Sequence, residues 1–254
     1  MKNFCQRKIL FSLFLTSCFF SCQIDISKEK PFPRTTIEQH PINTLSSKEI
    51  AVGWELLFDG ENVNHWRGYN RDSFPLGDWK IDESGNLVLG STDIITHRKF
   101  ENFEMKLDYQ LTNGSNSGIY YRVIEAEAYP IWFNAPEYSL LDDSTYLHLE
   151  KEHPNAMKHK SGSVFDMFEP TDDLTFPLGK WNHVRIVLHS GFVEHWLNGE
   201  RVLEYEINSE KWKNNVMKSR FKSYLNYGKA EIGHIGIQGN KSPVKFRNIK
   251  IREM

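Results

Sequence analysis

Apolar and polar residues alternate with a period of two in many short segments of the chain from Trp54 onward. Successive side chains of a β-strand point to opposite faces, so this alternation predicts half-buried strands. Gly, Asn, Asp and Pro residues separate the segments and predict turns between them. The predicted strands cover residues 79–81, 86–89, 93–96, 103–111, 118–123, 138–142, 164–167, 181–188, 192–197, 200–205, 234–238 and 244–252.

Several of the predicted turns specify how neighbouring strands pair. Asn198 and Gly199 lie between FVEHWL and ERVLEY, and this dipeptide supplies the positive φ angles of a type I′ hairpin. Ser190 with Gly191 and Ser84 with Gly85 join further strand segments in the same way. Segments 207–214 and 216–225 have weak helical patterns without a clean apolar stripe, and we interpret them as an irregular excursion. The pattern therefore predicts an all-β, two-sheet antiparallel β-sandwich.

The first residues of the chain have the pattern of a signal peptide. Lys2, Arg7 and Lys8 precede an apolar run over 9–20, which is too short to span a bilayer comfortably. Cys22 and Cys18 each follow a small residue, as in the cleavage boxes of bacterial lipoproteins. We favour lipidation at Cys22, because polar residues follow it, although LTSC ending at Cys18 is the better match to such a box.

The sequence divides into three predicted parts, and the chain is expected to be exported and lipid-anchored in the bacterial cell envelope. These parts are a lipoprotein signal peptide over 1–22, a flexible tether over 23–49 and one domain over 50–254. The tether carries prolines and polar residues without periodicity. From Gln23 onward the chain contains no cysteine, so the domain has no disulfide, thiolate metal site or cysteine nucleophile.

Composition narrows the classes of partner. Lys and Arg number 31 against 33 Asp and Glu, which gives a formal charge of -2 and excludes a global attraction to nucleic acid. Aromatic residues make up 13% of the chain and include seven Trp, a composition that suits stacking on sugar rings. Filling of the sandwich core explains any single Trp equally well.

Several strings of the chain carry a family resemblance. They are WELLFDGENVNHW, GDWKIDESGNLVLG, NSGIYYRV, PEYSLLDD, SGSVFDMFEP, GKWNHVRIVLHSGFVEHWLNGERVLEYE and HIGIQGNKSPVKFRNIKI, in this order. Together they resemble the 3-keto-disaccharide hydrolase family. The resemblance implies a concanavalin A-like jelly roll with a concave face for a carbohydrate, and an enzyme that cleaves 3-keto-glycosides. The chain departs from the family pattern at one place, because members commonly have QDHG where this chain has Gln238, Gly239, Asn240 and Lys241.

The implied reaction needs a base and a group that stabilises an enolate. A 3-keto group acidifies the C2 proton, so a base can remove it and the C1 substituent can leave, after which water adds. Glu137 of PEYSLLDD is the predicted base, and Arg122 of NSGIYYRV is the predicted cation. Strand alternation places Tyr120 and Arg122 on one face, and we expect Glu137 and Arg122 to meet in one hollow. Direct hydrolysis by two flanking carboxylates is the competing chemistry.

Further residues are candidates with more than one interpretation. His195 lies in the middle of a strand and is either a third catalytic group or a packed, hydrogen-bonded core residue. His153 and His159 belong to a loop that rims the groove or is simply solvated, and Asp142 and Asp143 are predicted to cap a turn. The predicted substrate-binding residues are Tyr120, Tyr138, Lys160, Asp166 and Gln238.

The sequence carries no cofactor signature. It has no HExxH, EF-hand, dinucleotide or phosphate-loop motif, although a divalent metal assembled from distant strands is not excluded. A separate sugar oxidoreductase is therefore expected to supply the keto substrate. A carbohydrate-binding lipoprotein without turnover is the alternative function, favoured by the altered QDHG segment, and an envelope interaction domain is the third.

Overall fold

The computed structural model describes residues 41–149 and 152–254. Two antiparallel sheets form a sandwich, with short helices in the connections. The α-helices are α1 (Ser47–Ala51), α2 (Asp143–Leu149) and α3 (Glu210–Lys218), and 3-10 helices cover Ile131–Phe133, Ala156–His159 and Arg220–Ser223.

The larger sheet has eight strands in the order β11-β10-β9-β6-β13-β4-β3, and β1 also pairs with β13. Its outer face is ionic, because Glu104 accepts hydrogen bonds from Arg185 and Arg252 there. The strands are β1 (Glu55–Leu56), β3 (Lys80–Ile81), β4 (Leu87–Val88), β6 (Phe103–Leu111), β9 (Trp181–His189), β10 (Phe192–Leu197), β11 (Glu200–Glu206) and β13 (Val244–Glu253).

The smaller sheet has five strands in the order β2-β5-β12-β7-β8. Its inner face supplies Ile119 and Tyr121 to the large core between the sheets. Its outer face carries a second buried cluster that includes Tyr120, Val123 and Ile131. The strands are β2 (Trp66–Gly68), β5 (Ile94–Phe100), β7 (Asn116–Val123), β8 (Glu137–Leu141) and β12 (Gly233–Ile237).

The predicted all-β, two-sheet antiparallel sandwich is confirmed. The hairpin at Asn198 and Gly199 forms as predicted, with positive φ at both residues between β10 and β11. The predicted strand over 164–167 is wrong, because Val164 makes only isolated bridges and Asp166 has a left-handed φ of 58°. The excursion after β11 contains a regular helix, α3, whose N-cap Ser209 accepts a hydrogen bond from the Trp212 backbone amide.

A β-bulge interrupts β7 near its end. Val123 pairs with His234 and Tyr120 with Gly236, so two residues of β7 oppose the single Ile235 of β12. Arg122, with a φ of 57°, lies in this bulge. The bulge shifts the alternation of β7, and Val123 therefore lies in the same outer-face cluster as Tyr120. The predicted alternation, with Tyr120 and Arg122 opposite Val123, is wrong for this reason.

Part of the segment predicted as a tether is folded. Asn43 is buried and exchanges hydrogen bonds with Asn248 of β13, at 2.6 and 2.7 Å between the backbone amides and side-chain oxygens. Helix α1 follows and has a capping box formed by Ser46 and Glu49. The folded unit therefore begins before residue 50. The predicted signal peptide, the lipidation cysteines and most of the predicted tether lie outside the described residues. Within the described ranges, no helix has the length and apolarity needed to cross a bilayer.

Candidate active site

The candidate site is built on the outer face of the five-stranded sheet, where Tyr120 of β7 lies directly opposite Glu137 of β8. The Tyr120 hydroxyl donates a 2.9 Å hydrogen bond to Glu137 Oε2. Gly118 lies on the same face, and a Cβ there would be 2.5 Å from Glu137 Oε1. The absence of a side chain at Gly118 therefore gives the Glu137 carboxyl its place over the sheet.

Burial controls the protonation of Glu137, which is only 5% exposed. Burial is the largest influence and raises the pKa of the Glu137 carboxyl, the Tyr120 hydrogen bond lowers it, and the nearby charge of Asp93 raises it. The net pKa is about 7. A carboxyl with this pKa exchanges protons near neutral pH. This is the property that a general base needs.

Asp93 and Gln238 complete a cluster at neighbouring ends of β5 and β12. The Gln238 side-chain amide donates a 3.1 Å hydrogen bond to the Tyr120 hydroxyl, and the Gly239 backbone amide donates to Asp93 Oδ1 at 2.8 Å. Burial raises the pKa of Asp93 to about 6, against the effect of the Gly239 amide. The Oε1 atom of Gln238 is buried without a hydrogen-bond partner among the described residues. A sugar hydroxyl that donated to it would satisfy this atom.

The altered QDHG segment forms part of this cluster. Gly239 stands at the position of the Asp in the family pattern, and a Cβ there would lie 2.6 Å from the carbonyl carbon of Ser91. Asn240 stands at the position of the His, and its side-chain oxygen accepts a hydrogen bond from the Ser242 amide. The imidazole expected from the resemblance is therefore absent from this loop, while the carboxyl of Asp93 lies against it.

A second polar group lies beside Glu137. His159 and Asp166 are buried, and His159 Nε2 is 3.0 Å from Asp166 Oδ1. The charges of His159 and Arg220 act on Glu137 and lower its pKa. Burial acts to raise the pKa of Asp166, but hydrogen bonds from His159, Arg220 and Asn155 hold it at about 2. Asp166 is therefore an ionised carboxylate in contact with His159, whose charge acts on the candidate base.

The predicted pair of Glu137 and Arg122 is not formed. Arg122 lies in the bulge, and burial lowers its pKa, while the hydroxyls of Tyr205 and Tyr121 act on it from the sandwich interior and raise it. Its Nε atom is buried without a partner among the described residues. Glu137 lies on the other side of the sheet, because it pairs with Tyr120. Arg122 therefore does not serve as the enolate-stabilising cation that the sequence predicts.

Three other predicted residues make their contacts outside the cluster. His195 is 0% exposed in the core, where its ring nitrogens contact the Tyr121 hydroxyl and the Gly162 carbonyl. Burial lowers the pKa of His195 to about 4, so this residue is a packed core histidine and its predicted catalytic role is wrong. Tyr138 is also fully buried and donates to the Trp196 carbonyl, and Lys160 pairs with Asp173. A substrate on the outer face would touch neither His195 nor Tyr138.

Asp93 is the site residue that the sequence analysis missed. The sequence indicates only that Asp93 is the first residue of a strand, and no local motif marks it. Its carboxyl reaches the site because β5 and β12 are neighbours in the sheet, with Ile94 paired to Ile237. An acidic residue at a predicted strand end was the available signal.

An open cleft elsewhere on the protein is less suited to acid-base chemistry. It has a volume of about 530 Å³ and is lined by Arg67, Glu125 and other polar residues. Arg67 and Glu125 form a bidentate ion pair in it, at 2.5 and 2.8 Å. Its principal charges are therefore already neutralised by one another.

The fold and the site define a class of jelly-roll protein with a polar, proton-exchanging cluster on the outer face of one sheet. Residues 53–252 match the model of a family described as the 3-keto-alpha-glucoside-1,2-lyase-like domain, and the chain belongs to this family. The resemblance seen in the sequence is thereby confirmed. The prediction of a glycoside-cleaving enzyme is confirmed at the level of the family.

Individual relatives agree with this assignment. A 3-keto-disaccharide hydrolase of Bacteroides thetaiotaomicron is 32% identical over 245 residues, which cover 83% of this chain and 82% of the relative. A crystal structure of a candidate glycosyl hydrolase from Parabacteroides distasonis has 30% identity and a TM-score of 0.74, covering 84% of this chain and 99% of that chain. A second candidate glycosyl hydrolase of that organism has 26% identity and a TM-score of 0.58, covering 79% and 99%.

Proposed function

We propose that this protein cleaves 3-keto-glycosides or 3-keto-disaccharides, with Glu137 as the base that removes the C2 proton. One observation carries the proposal: Glu137 is a buried carboxyl with a pKa near 7, held over Gly118 by Tyr120. The name of the Bacteroides relative supports the choice of substrate class.

The proposed reaction has two stages. Glu137 takes the C2 proton, and the electron pair of the C2–H bond forms an enolate with the 3-keto group. The enolate then expels the C1 substituent with the electron pair of the C1–O bond, and water adds to the resulting double bond. Protonated Asp93 is the proposed donor of the leaving-group proton, because its pKa of about 6 keeps a useful acid fraction near neutrality.

Neutral donors replace the predicted cation in this scheme. Gln238 can donate its second side-chain N–H to the enolate, and the Tyr120 hydroxyl, which donates to Glu137, can turn to the enolate once Glu137 carries the C2 proton. Hydrogen bonds to a developing enolate are worth more in a site that excludes water.

Product analysis tests this proposal. The folded chain is incubated with a panel of prepared 3-keto-glycosides, and the released aglycone and keto-sugar are measured. We expect release by the parent protein and a loss of at least about 100-fold in Glu137→Gln. Absence of release across the panel, with folding confirmed by circular dichroism, would contradict the proposal.

A carbohydrate-binding protein without turnover is the second candidate function. It is favoured by Gly239 and Asn240, which stand where the family pattern has Asp and His. Calorimetry separates the two functions: oligosaccharide binding that persists in Glu137→Gln, together with no cleavage by the parent, supports this alternative.

We further propose that the protein is exported, anchored by a lipid on Cys22 and supplied by a separate sugar oxidoreductase. Mass spectrometry of the mature N-terminus tests the anchor. We expect Cys22→Ser to abolish lipidation and Cys18→Ser to leave it unchanged, and the reverse result would place the anchor at Cys18.

A further inference from the structure

His153, His159 and Asp166 bring three metal-ligand groups together on the Glu137 side of the structure. One ligand atom from each lies within 4.8 Å of the others. His159 and Asp166 are buried, whereas His153 is exposed. Two ligands are therefore fixed by the fold, and the third can adjust its side chain to complete a coordination sphere.

The surroundings hold Asp166 in place. Its Oδ2 accepts a 2.7 Å hydrogen bond from the Arg220 backbone amide, and its Oδ1 accepts a 2.8 Å hydrogen bond from the Asn155 side chain. The left-handed φ of Asp166, at 58°, is uncommon for a residue with a side chain and marks a constrained position. His159 also stacks on Phe165 at 4.4 Å between ring centroids. Such supporting contacts orient ligands in metal sites.

The types of ligand select the class of ion. Two imidazoles and one carboxylate suit a divalent transition metal such as Zn²⁺, Co²⁺ or Mn²⁺, whereas Ca²⁺ and Mg²⁺ prefer sets made only of oxygen atoms. The 3.0 Å separation of His159 Nε2 and Asp166 Oδ1 is close to the spacing of two ligands on one such ion. Binding would replace the hydrogen between these atoms and release a proton.

We propose that His153, His159 and Asp166 bind one divalent transition-metal ion beside Glu137. The exposed imidazole of His153 completes the site by giving up the 3.1 Å hydrogen bond that its Nδ1 accepts from the Asn155 amide, or by rotating. Three protein ligands leave coordination positions open for oxygen atoms. The role of the ion rests on the proposed function: the ion would polarise the 3-keto oxygen of a bound substrate and make the C2 proton of that substrate more acidic.

Metal titration without substrate tests the binding. The full chain is purified without a polyhistidine tag, treated with a chelator and titrated with Co²⁺ under visible spectroscopy and with Zn²⁺ by calorimetry. We expect one ion per chain with visible Co²⁺ bands. His153→Ala and Asp166→Asn should each raise the Kd at least about tenfold.

His189→Ala is the matched control, because His189 is an exposed histidine at the end of β9. It should leave the Kd and the Co²⁺ spectrum unchanged. The inference is overturned if the parent shows no stoichiometric binding, or if His153→Ala and Asp166→Asn both bind as the parent does.

The metal site and the proposed function can fail separately. A protein that binds one ion through these residues but releases no product from 3-keto-glycosides keeps the site and loses the function. A protein that cleaves them at an unchanged rate after metal removal, and shows no stoichiometric binding, keeps the function and loses the site.

Discussion

At the scale of single residues, the chemistry depends on how Glu137 is buried. Among the described residues, the carboxyl accepts a hydrogen bond of 2.9 Å from Tyr120, and it has little contact with water. The protein therefore favours its neutral form, and ionising it at high pH costs free energy of folding.

This cost predicts that Glu137→Gln stabilises the protein in alkaline solution. The pKa is 4.5 when unfolded and about 7 when folded, so the folded state holds more protons between these values and stability falls as pH rises. The neutral side-chain amide of the Glu137→Gln variant does not ionise, so the variant avoids this loss in the free energy of unfolding, which is on the order of 3 kcal/mol above pH 7. Thermal unfolding should show a Tm several degrees above the parent at pH 8 and a much smaller difference at pH 4.5. Glu83→Gln, at an exposed position, should show neither effect.

We expect Gly118→Ala to reduce the rate of cleavage with limited damage to the fold. The new Cβ would meet Glu137 Oε1 at 2.5 Å and displace the carboxyl. A displacement of about 1 Å in a catalytic group costs about 100-fold in rate, so kcat/KM for a 3-keto-glycoside should fall by this order. Gly77→Ala meets no atom within 4 Å and serves as the control. Equal rates in both variants would argue against Glu137 as the base.

The sequence predicted part of this site. The family strings marked Tyr120, Glu137 and Gln238, and the three side chains converge because β12, β7 and β8 are neighbours in the sheet. The predicted role of Arg122 is wrong because the bulge that holds it depends on pairing with β12, which a local pattern does not reveal. The predicted role of His195 is wrong because a strand pattern does not tell which face receives the substrate. Asp93 was missed because only sheet order brings it near Glu137. Pairing between strands that are distant in the sequence therefore determines which of these residues belong to the site.

At the scale of elements, the bulge in β7 determines which side chains face the site. Strand bounds were predicted well where turns such as Asn198 and Gly199 fixed a hairpin. The short strands β1 and β2 were missed, since two or three residues carry no detectable alternation. The sequence shows only a weak helical pattern for α3, because Trp212 alone among the residues of this helix is buried and a single buried residue makes no apolar stripe.

Gly233→Ala should open the pairing of β7 with β12. A Cβ at Gly233 would lie 2.5 Å from Arg122 Cα and 2.6 Å from the Val123 amide nitrogen. Backbone atoms cannot move aside as a flexible side chain can, so we expect a loss of about 2–3 kcal/mol in the free energy of unfolding. Urea unfolding measures this loss, again with Gly77→Ala as reference. An unchanged midpoint would show that the bulge tolerates the extra atom.

At the scale of the whole molecule, the segment before α1 belongs to the folded unit. Asn43 binds Asn248 through reciprocal hydrogen bonds and donates a third, of 2.8 Å, to the Gly85 carbonyl. The start of the folded chain is thereby fastened to its last strand. Composition alone suggested a tether there, because three isolated hydrogen bonds leave no periodic trace in a sequence.

Asn43→Ala should therefore destabilise the protein despite its distance from the core. The variant loses the two hydrogen bonds of the Asn43 side chain, to the Asn248 amide and the Gly85 carbonyl, and keeps the one from the backbone amide of residue 43. At about 1 kcal/mol each, this loss predicts a decrease of about 2 kcal/mol in the free energy of unfolding. Chemical denaturation of the full chain checks this value. Asn62→Ala removes an exposed hydrogen bond to Asp59 and should change stability by less than about 0.5 kcal/mol. Similar denaturation midpoints for the two variants would mean that the Asn43 side chain does not stabilise the fold.

The outward position of Tyr120 beside the inward position of Tyr121 has an evolutionary consequence. Tyr120 belongs to the outer-face cluster, where selection acts on the chemistry of the site, and Tyr121 belongs to the core between the sheets, where selection acts on folding. Mutations on the outer face of β7 and β8 can then accumulate without changing the side chains that fill the interior between the sheets. A descendant could thus acquire a new specificity while inheriting its interior unchanged.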